Sequence, residues 1–143
     1  MPRFHLAFPV DDLAAARAFY GGVLGCAEGR SSAAWVDFDL AGHQIVAHLA
    51  PDETVRVQTS EVDGDQVPVR HFGLILPWAD WQALAARLEA KLKETGATFI
   101  IAPHVRFEGR PGEQATMFLL DPAGNALEFK AFRRDEDVFA RRA

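Results

Sequence analysis

His5 and His71 each open an apolar, strand-like run, and each is followed two residues later by a small side chain, Ala7 and Gly73. Glu128 lies in a third such run, from Ala126 to Phe132, where a carboxylate needs a positive partner. Burying it unpaired would cost on the order of several kcal/mol. Two imidazoles and one carboxylate on separate strands are what a three-ligand metal site with an open side requires. Strand alternation puts His5 and Ala7 on one face, and His71, Gly73 and Ile75 on the corresponding face of another strand, with Ala7 and Gly73 leaving room beside each imidazole.

Positioning these groups requires strands, and the chain writes the same order of elements twice. The first half reads as strand (Phe4 to Val10), helix (Asp12 to about Gly25), strand (Ala34 to Leu40), a turn at Ala41-Gly42, and strand (Gln44 to Leu49). The second reads as strand (His71 to Leu76), helix (Asp80 to Thr95), strands (Thr98 to Ile101 and Ala115 to Leu120), a turn through Gly124, and strand (Ala126 to Phe132). Asp11 or Asp12 can cap the first helix, whose Leu13, Ala16, Tyr20 and Val23 recur on one side. In the second, Asp80 is the candidate cap, Trp81, Leu84, Leu88 and Leu92 form the apolar face, and Gly96 stands where a left-handed terminator is expected. Asp39 to Ile45 is echoed by Asp121 to Leu127. Half a chain of this length buries too little surface to be comfortable alone, so the two sheets should combine within one chain or between chains.

With 143 residues, 49% hydrophobic and 24% charged, the chain is expected to form a single folded domain. Its divisions are a first module over 1–50, a polar and mobile connection over 51–69 centred on Asp63-Gly64-Asp65, a second module over 70–132 and a charged, solvated tail over 133–143. A net charge of −5 with scattered basic residues argues against nucleic acid. The lone Cys26 cannot make an internal disulfide. With neither a signal peptide at the start nor an apolar run long enough to span a bilayer, no membrane partner and a cytoplasmic location are expected.

Gln44, Val46 and His48 share one face of the strand that closes the first module. Gln44 is a weaker candidate ligand, since an amide oxygen is a poor donor beside two imidazoles and a carboxylate. His43 and His104 are expected on the surface. The stretch from His104 to Gln114 reads as a long loop able to cover a cup and to present Arg106 and Arg110 to a carboxylate or enolate oxygen. Phe118 is among the aromatics that can form an apolar wall, although core packing explains most of them.

Four segments carry a resemblance that covers nearly the whole chain: Phe4 to Leu13, Ala18 to Gly25, Arg70 to Gly73 and Asp121 to Phe129. Through them the chain resembles the vicinal oxygen chelate superfamily of glyoxalase I, extradiol ring-cleaving dioxygenases, fosfomycin-resistance enzymes and metal-free bleomycin-binding proteins. The resemblance implies an α+β fold of two βαβββ modules whose curved mixed sheets form a cup around one divalent metal. Its ligands map onto His5, His71 and Glu128, and a histidine at a place like that of His48 acts as acid/base in the dioxygenases. It implies an extradiol-dioxygenase-type enzyme using Fe(II) or Mn on a small substrate chelating through two oxygens, such as a catechol, with a homodimer as its assembly. The alternatives are a glyoxalase-like lyase or isomerase using Ni or Zn, with His48 as a fourth ligand, and a small-molecule-binding protein of bleomycin-resistance type. Ring-cleaving relatives commonly place a tyrosine of the second module near the metal. This chain's only tyrosine is Tyr20, in the first helix, and Phe118 occupies the corresponding region.

Overall fold

The computed structural model describes residues 1–54, 59–95 and 98–141, and the expected terminator Gly96 lies outside them. The chain divides into two compact units, Met1–Arg56 with Asp121–Asn125, and Val57–Leu120 with Ala126–Ala143. Each contains the same α+β module. In the first, β1 (His5–Val10) leads into α1 (Leu13–Ala16), which continues as a wider-wound π-helical stretch, Arg17–Val23, and then β2 (Ala27–Ser31), β3 (Trp35–Leu40) and β4 (His43–Leu49). The sheet order is β1-β4-β3-β2, with β1 parallel to β4 and the other pairs antiparallel. Asp12 caps α1 by accepting the Ala15 N–H at 3.0 Å, as its residue type requires. Alternation along the strands buries Phe8, Val10, Val36, Phe38, Ile45 and Ala47. Tyr20 is fully buried among Phe8, Phe19 and Phe38 at ring separations of 5.0 to 5.3 Å, and its hydroxyl donates to Asp121 Oδ2 at 2.7 Å.

The second unit holds a hairpin of β5 (Thr59–Val62) and β6 (Asp65–Pro68), then β7 (Phe72–Ile75), α2 (Trp78–Thr95), β8 (Ile101–Arg106), β9 (Gln114–Leu120) and β10 (Ala126–Phe132). Its main sheet has the order β7-β10-β9-β8, with β7 parallel to β10. α2 buries Trp81, Ala85, Leu88 and Leu92, and the Trp81 indole N–H donates to the Phe129 carbonyl at 2.8 Å, tying helix to sheet. The helix begins at Trp78, so Asp80 lies inside its first turn, where a negative charge meets the positive end of the helix. Among the described residues no helix is long and apolar enough to cross a membrane.

Four segments differ from the sequence expectations. β2 was not anticipated, because all five of its residues are exposed and it shows no alternation. The supposedly mobile connection contains the β5–β6 hairpin, closed by Asp63 and Gly64 at φ of 47° and 87°. Those angles match the two-residue turn that suits the twist of paired strands. The presumed loop from His104 to Gln114 is strand as far as Arg106. The charged tail also forms a short helical turn, Asp135–Phe139, in which the buried Asp137 accepts from the Gly112 N–H at 3.2 Å.

Candidate metal centre

His71 immediately precedes β7, and Glu128 lies on β10 beside it. The His71 Nε2 stands 3.2 Å from Glu128 Oε1, with side-chain exposures of 30% and 8%. Its other nitrogen, Nδ1, lies 2.7 Å from the Pro68 carbonyl oxygen. A carbonyl can only accept, so Nδ1 carries a proton; Nε2 then donates to the carboxylate when the ring is protonated and offers a lone pair when the ring is neutral. Two lone pairs face each other at that distance only when a cation or a second proton lies between them. Glu128 Oε2 is held by the Thr116 hydroxyl, which donates at 2.5 Å, and the Lys130 ammonium lies 4.0 Å from Oε1. A depression of about 130 Å³ opens here, lined by His71, Gly73, Ile75, Glu128 and Lys130.

The electrostatics follow from this geometry. The hydrogen bond to Glu128 holds the His71 imidazole above its ordinary value, against the opposing effect of burial and with help from the Pro68 carbonyl. Burial pushes the Glu128 carboxyl up, but hydrogen bonds from His71 and Thr116, with the Lys130 charge, outweigh it and hold the group below its ordinary value. A nitrogen donor with its tautomer set, beside an anchored carboxylate, fits a divalent cation. Gly73 contributes in a way different from the room beside an imidazole that its size alone suggests. A Cβ there would run into the Glu128 carbonyl oxygen and lie 2.7 Å from its carbon, so the glycine permits β10 to approach β7.

In the first unit, His5 Nδ1 lies 2.7 Å from Gln44 Oε1, and Gln44 Nε2 donates to Asp37 Oδ2 at 3.2 Å. His48 is exposed and lies on the same sheet face as Gln44, opposite Pro9. Four residues at ~3.3 Å each place it about 13 Å along the strand from the His5 row. His43 Nδ1 accepts the Phe4 N–H at 3.0 Å. Among the described residues no group of three His, Cys, Asp or Glu side chains is gathered as a metal-binding cluster.

The residues expected to meet a substrate are placed as follows. Arg106 is only 4% exposed, and its Nε and Nη2 lie 3.2 and 3.0 Å from Asp65 Oδ2, the oxygen also approached by His104 Nε2 at 2.8 Å. Its guanidinium lies 5.7 Å from the centre of the Phe118 ring. Phe118 is fully buried and meets His71 edge-on at 5.1 Å, so it backs the histidine. Arg110 is exposed, 3.7 Å from Asp63.

The Glyoxalase/Bleomycin resistance protein/Dioxygenase superfamily model matches residues 4–129. The chain belongs to this superfamily. A solved glyoxalase/bleomycin resistance protein/dioxygenase from Alicyclobacillus acidocaldarius is similar at 34% identity, with a TM-score of 0.77 and 96% of each chain covered. The fold is shared with the fosfomycin resistance protein FosX of Listeria monocytogenes (17% identity, TM-score 0.68, 96% of this chain and 97% of that one). It is shared too with a lactoylglutathione lyase of Agrobacterium tumefaciens (20% identity, TM-score 0.64, 97% and 96%). No curated protein matches.

The two modules of this superfamily chain can be compared through their strand registers. Ala7, two residues after His5, pairs with Val46, whereas Gly73, two residues after His71, pairs with Glu128. The first module therefore places a buried valine where the second places the carboxylate. His48, opposite Pro9, corresponds to Lys130, opposite Ile75. Duplication has left two equivalent histidines and one carboxylate. The echo of Asp39 to Ile45 in Asp121 to Leu127 already aligns Val46 with Glu128, and the strand register agrees that Val46, not His48, is its counterpart.

Proposed function

We propose that the chain is a metal-dependent enzyme of extradiol-dioxygenase type, in which His71, Glu128 and His5 hold one divalent ion, Fe(II) or Mn. The observation that carries this reading is the His71 Nε2 atom 3.2 Å from an oxygen of an anchored carboxylate, with Nδ1 engaged by the Pro68 carbonyl. Val46 supports three donors over the four of a glyoxalase-like site, and two histidines with one carboxylate are the donor set of non-haem Fe(II) oxygenases. When bound, the ion supplies Lewis-acid charge neutralisation and open positions for a substrate chelating through two oxygens, together with the redox chemistry of dioxygen use.

The chain's own residues perform the remaining work. Pro68 fixes the His71 tautomer, Thr116 restrains Glu128 so that Oε1 stays directed at His71, and Lys130 adds positive charge beside the site for an anionic substrate oxygen. His48, exposed on the open face of the first module, exchanges a proton with the part of the substrate remote from His5. Arg110, exposed on its loop, remains available to a substrate carboxylate, and Arg106 and Phe118 support the wall behind His71. Small modules of this kind are expected to pair as a C2 homodimer, with a mass near twice 15.7 kDa in sedimentation.

The test is metal analysis of anaerobically purified protein, followed by oxygen-uptake screening with catechols. The expected result is one ion per chain and metal-dependent oxygen consumption, with the metal lost in His71→Ala and Glu128→Ala. Full occupancy in both folded variants overturns the site. Metal-dependent turnover of a chelating substrate without oxygen uptake overturns the dioxygenase reading in favour of a redox-neutral lyase or isomerase. Tight small-molecule binding that ignores chelators supports the binding-protein alternative.

A further inference from the structure

We propose that Asp37 and Gln44 form a positioning relay that sets the tautomer of His5. Gln44 lies between the other two, with Oε1 2.7 Å from His5 Nδ1 and Nε2 3.2 Å from Asp37 Oδ2. An ionised carboxylate accepts and cannot donate, so the Gln44 amide must turn its NH2 toward Asp37. Its carbonyl oxygen then faces His5, and an amide oxygen can only accept. The His5 proton must therefore reside on Nδ1, leaving Nε2 as the nitrogen with a free lone pair. Asp37 thus determines, through one amide, which nitrogen of a histidine on another strand can bind a cation.

Strand register makes the relay possible. Gln44 is the residue opposite His5 on β4 and opposite Asp39 on β3, one side-chain row from Asp37. All three side chains consequently lie on one sheet face. The second module reaches the same state differently, by directing His71 Nδ1 at the Pro68 carbonyl. Each histidine is thus restrained through Nδ1, by a carbonyl group in both cases, and the supporting group in the first module is a side chain that can be changed. Gln44 thereby has a role other than ligand, because the oxygen it would offer to a metal is used on His5. The purpose of the relay rests on the reading of His5 as a ligand, whereas the tautomer itself does not.

The experiment is nitrogen-proton correlation spectroscopy of the metal-free protein at about pH 8, above the ordinary imidazole range. Wild-type His5 is expected to carry its proton on Nδ1. Gln44→Leu should shift it toward Nε2, Asp37→Leu should give a mixture by freeing the amide to turn, and Gln44→Glu should retain Nδ1–H because a carboxylate only accepts. Affinity for Mn2+ should fall roughly 10- to 100-fold in Gln44→Leu, the usual effect of losing such support, and recover in Gln44→Glu. Unchanged melting of the metal-free variants separates this from a structural effect. A wild-type His5 protonated on Nε2, or a Gln44→Leu variant that keeps the Nδ1 proton, overturns the relay. Mn2+ binding to His5→Ala, measured alongside, separates the two proposals: wild-type affinity there removes His5 from the metal site, and the tautomer then decides the relay alone.

Discussion

Thr116→Val tests whether the carboxylate at the candidate centre is held by a single hydroxyl. Thr116 is fully buried, Glu128 is 7% exposed, and the bond between them is 2.5 Å. Valine preserves the shape and removes the donor, leaving Glu128 Oε2 without that partner where water has little access. Hydrogen bonds to charged groups contribute about 1.5–3 kcal/mol, and that is the expected loss in the metal-free protein. With a urea slope of about 1–3 kcal/mol per molar, the unfolding midpoint should fall by about 1 M. The pH dependence provides the sharper check. Glu128 is depressed in the folded state, so its contribution is present above its unfolded value and disappears as pH falls through the folded one. Losing Thr116 raises that folded value, and the gap between wild type and variant should narrow in acid. Thr116→Ser should restore most of the stability. A valine variant as stable as wild type, or a deficit of the same size at every pH at which both fold, refutes the reasoning.

Other outcomes follow from the same geometry. A metal must displace the proton that raises the His71 imidazole, so affinity should be flat above that raised value and fall roughly tenfold per pH unit below it, with proton release visible in calorimetry. In the metal-free protein the His71–Glu128 pair should stabilise most between the lowered Glu128 value and the raised His71 value, and lose strength on either side, as urea midpoints across pH will show. Gly73→Ala should push β10 from β7, costing about 1–3 kcal/mol or more and weakening metal binding. A variant with wild-type metal affinity and melting temperature would show that the close approach is unnecessary. His48→Ala should retain its metal while activity falls by about 100- to 10,000-fold, and loss of metal in step with activity would make His48 a ligand instead.

The duplicated order of elements was legible because its strands alternate and its turns carry glycine. Gly42 and Gly124 both adopt positive φ, 91° and 93°, and close the equivalent turns. The hairpin at Asp63-Gly64 escaped the sequence reading despite its turn chemistry, because β5 is mostly exposed and polar, which resembles a loop when composition is read alone. β8, expected over Thr98 to Ile101, instead runs from Ile101 to Arg106, for a different reason. Its register shifts between Ile101 and His104, and a Pro103 interrupts the run, so neither alternation nor a continuous apolar stretch marks it. The burial of Arg106 depends on Asp65, 41 residues earlier, and no local pattern encodes that partnership.

The candidate site shows the same division between pattern and register. His5, His71 and Glu128 were conspicuous because an imidazole or carboxylate in an apolar strand calls for a partner. Gln44 is legible in the sequence only as a weak candidate ligand, and Asp37 is an ordinary polar residue that nothing in its sequence neighbourhood distinguishes. They acquire meaning only when β4 is placed between β1 and β3, because that order puts an amide between a carboxylate and an imidazole. Val46 illustrates the converse. Its alternation shows that it belongs to a strand, the echoed turns align it with Glu128, and the pairing of Ala7 with Val46 and of Gly73 with Glu128 places the two at equivalent points of their sheets. A fourth donor from the first module would have to come from outside that equivalent pair, and His48, the nearest histidine on the strand, belongs to the next row, opposite Pro9. The register therefore bears on the proposed chemistry as directly as the proposed ligands do: with a valine at the equivalent position, the first module offers no carboxylate to match Glu128.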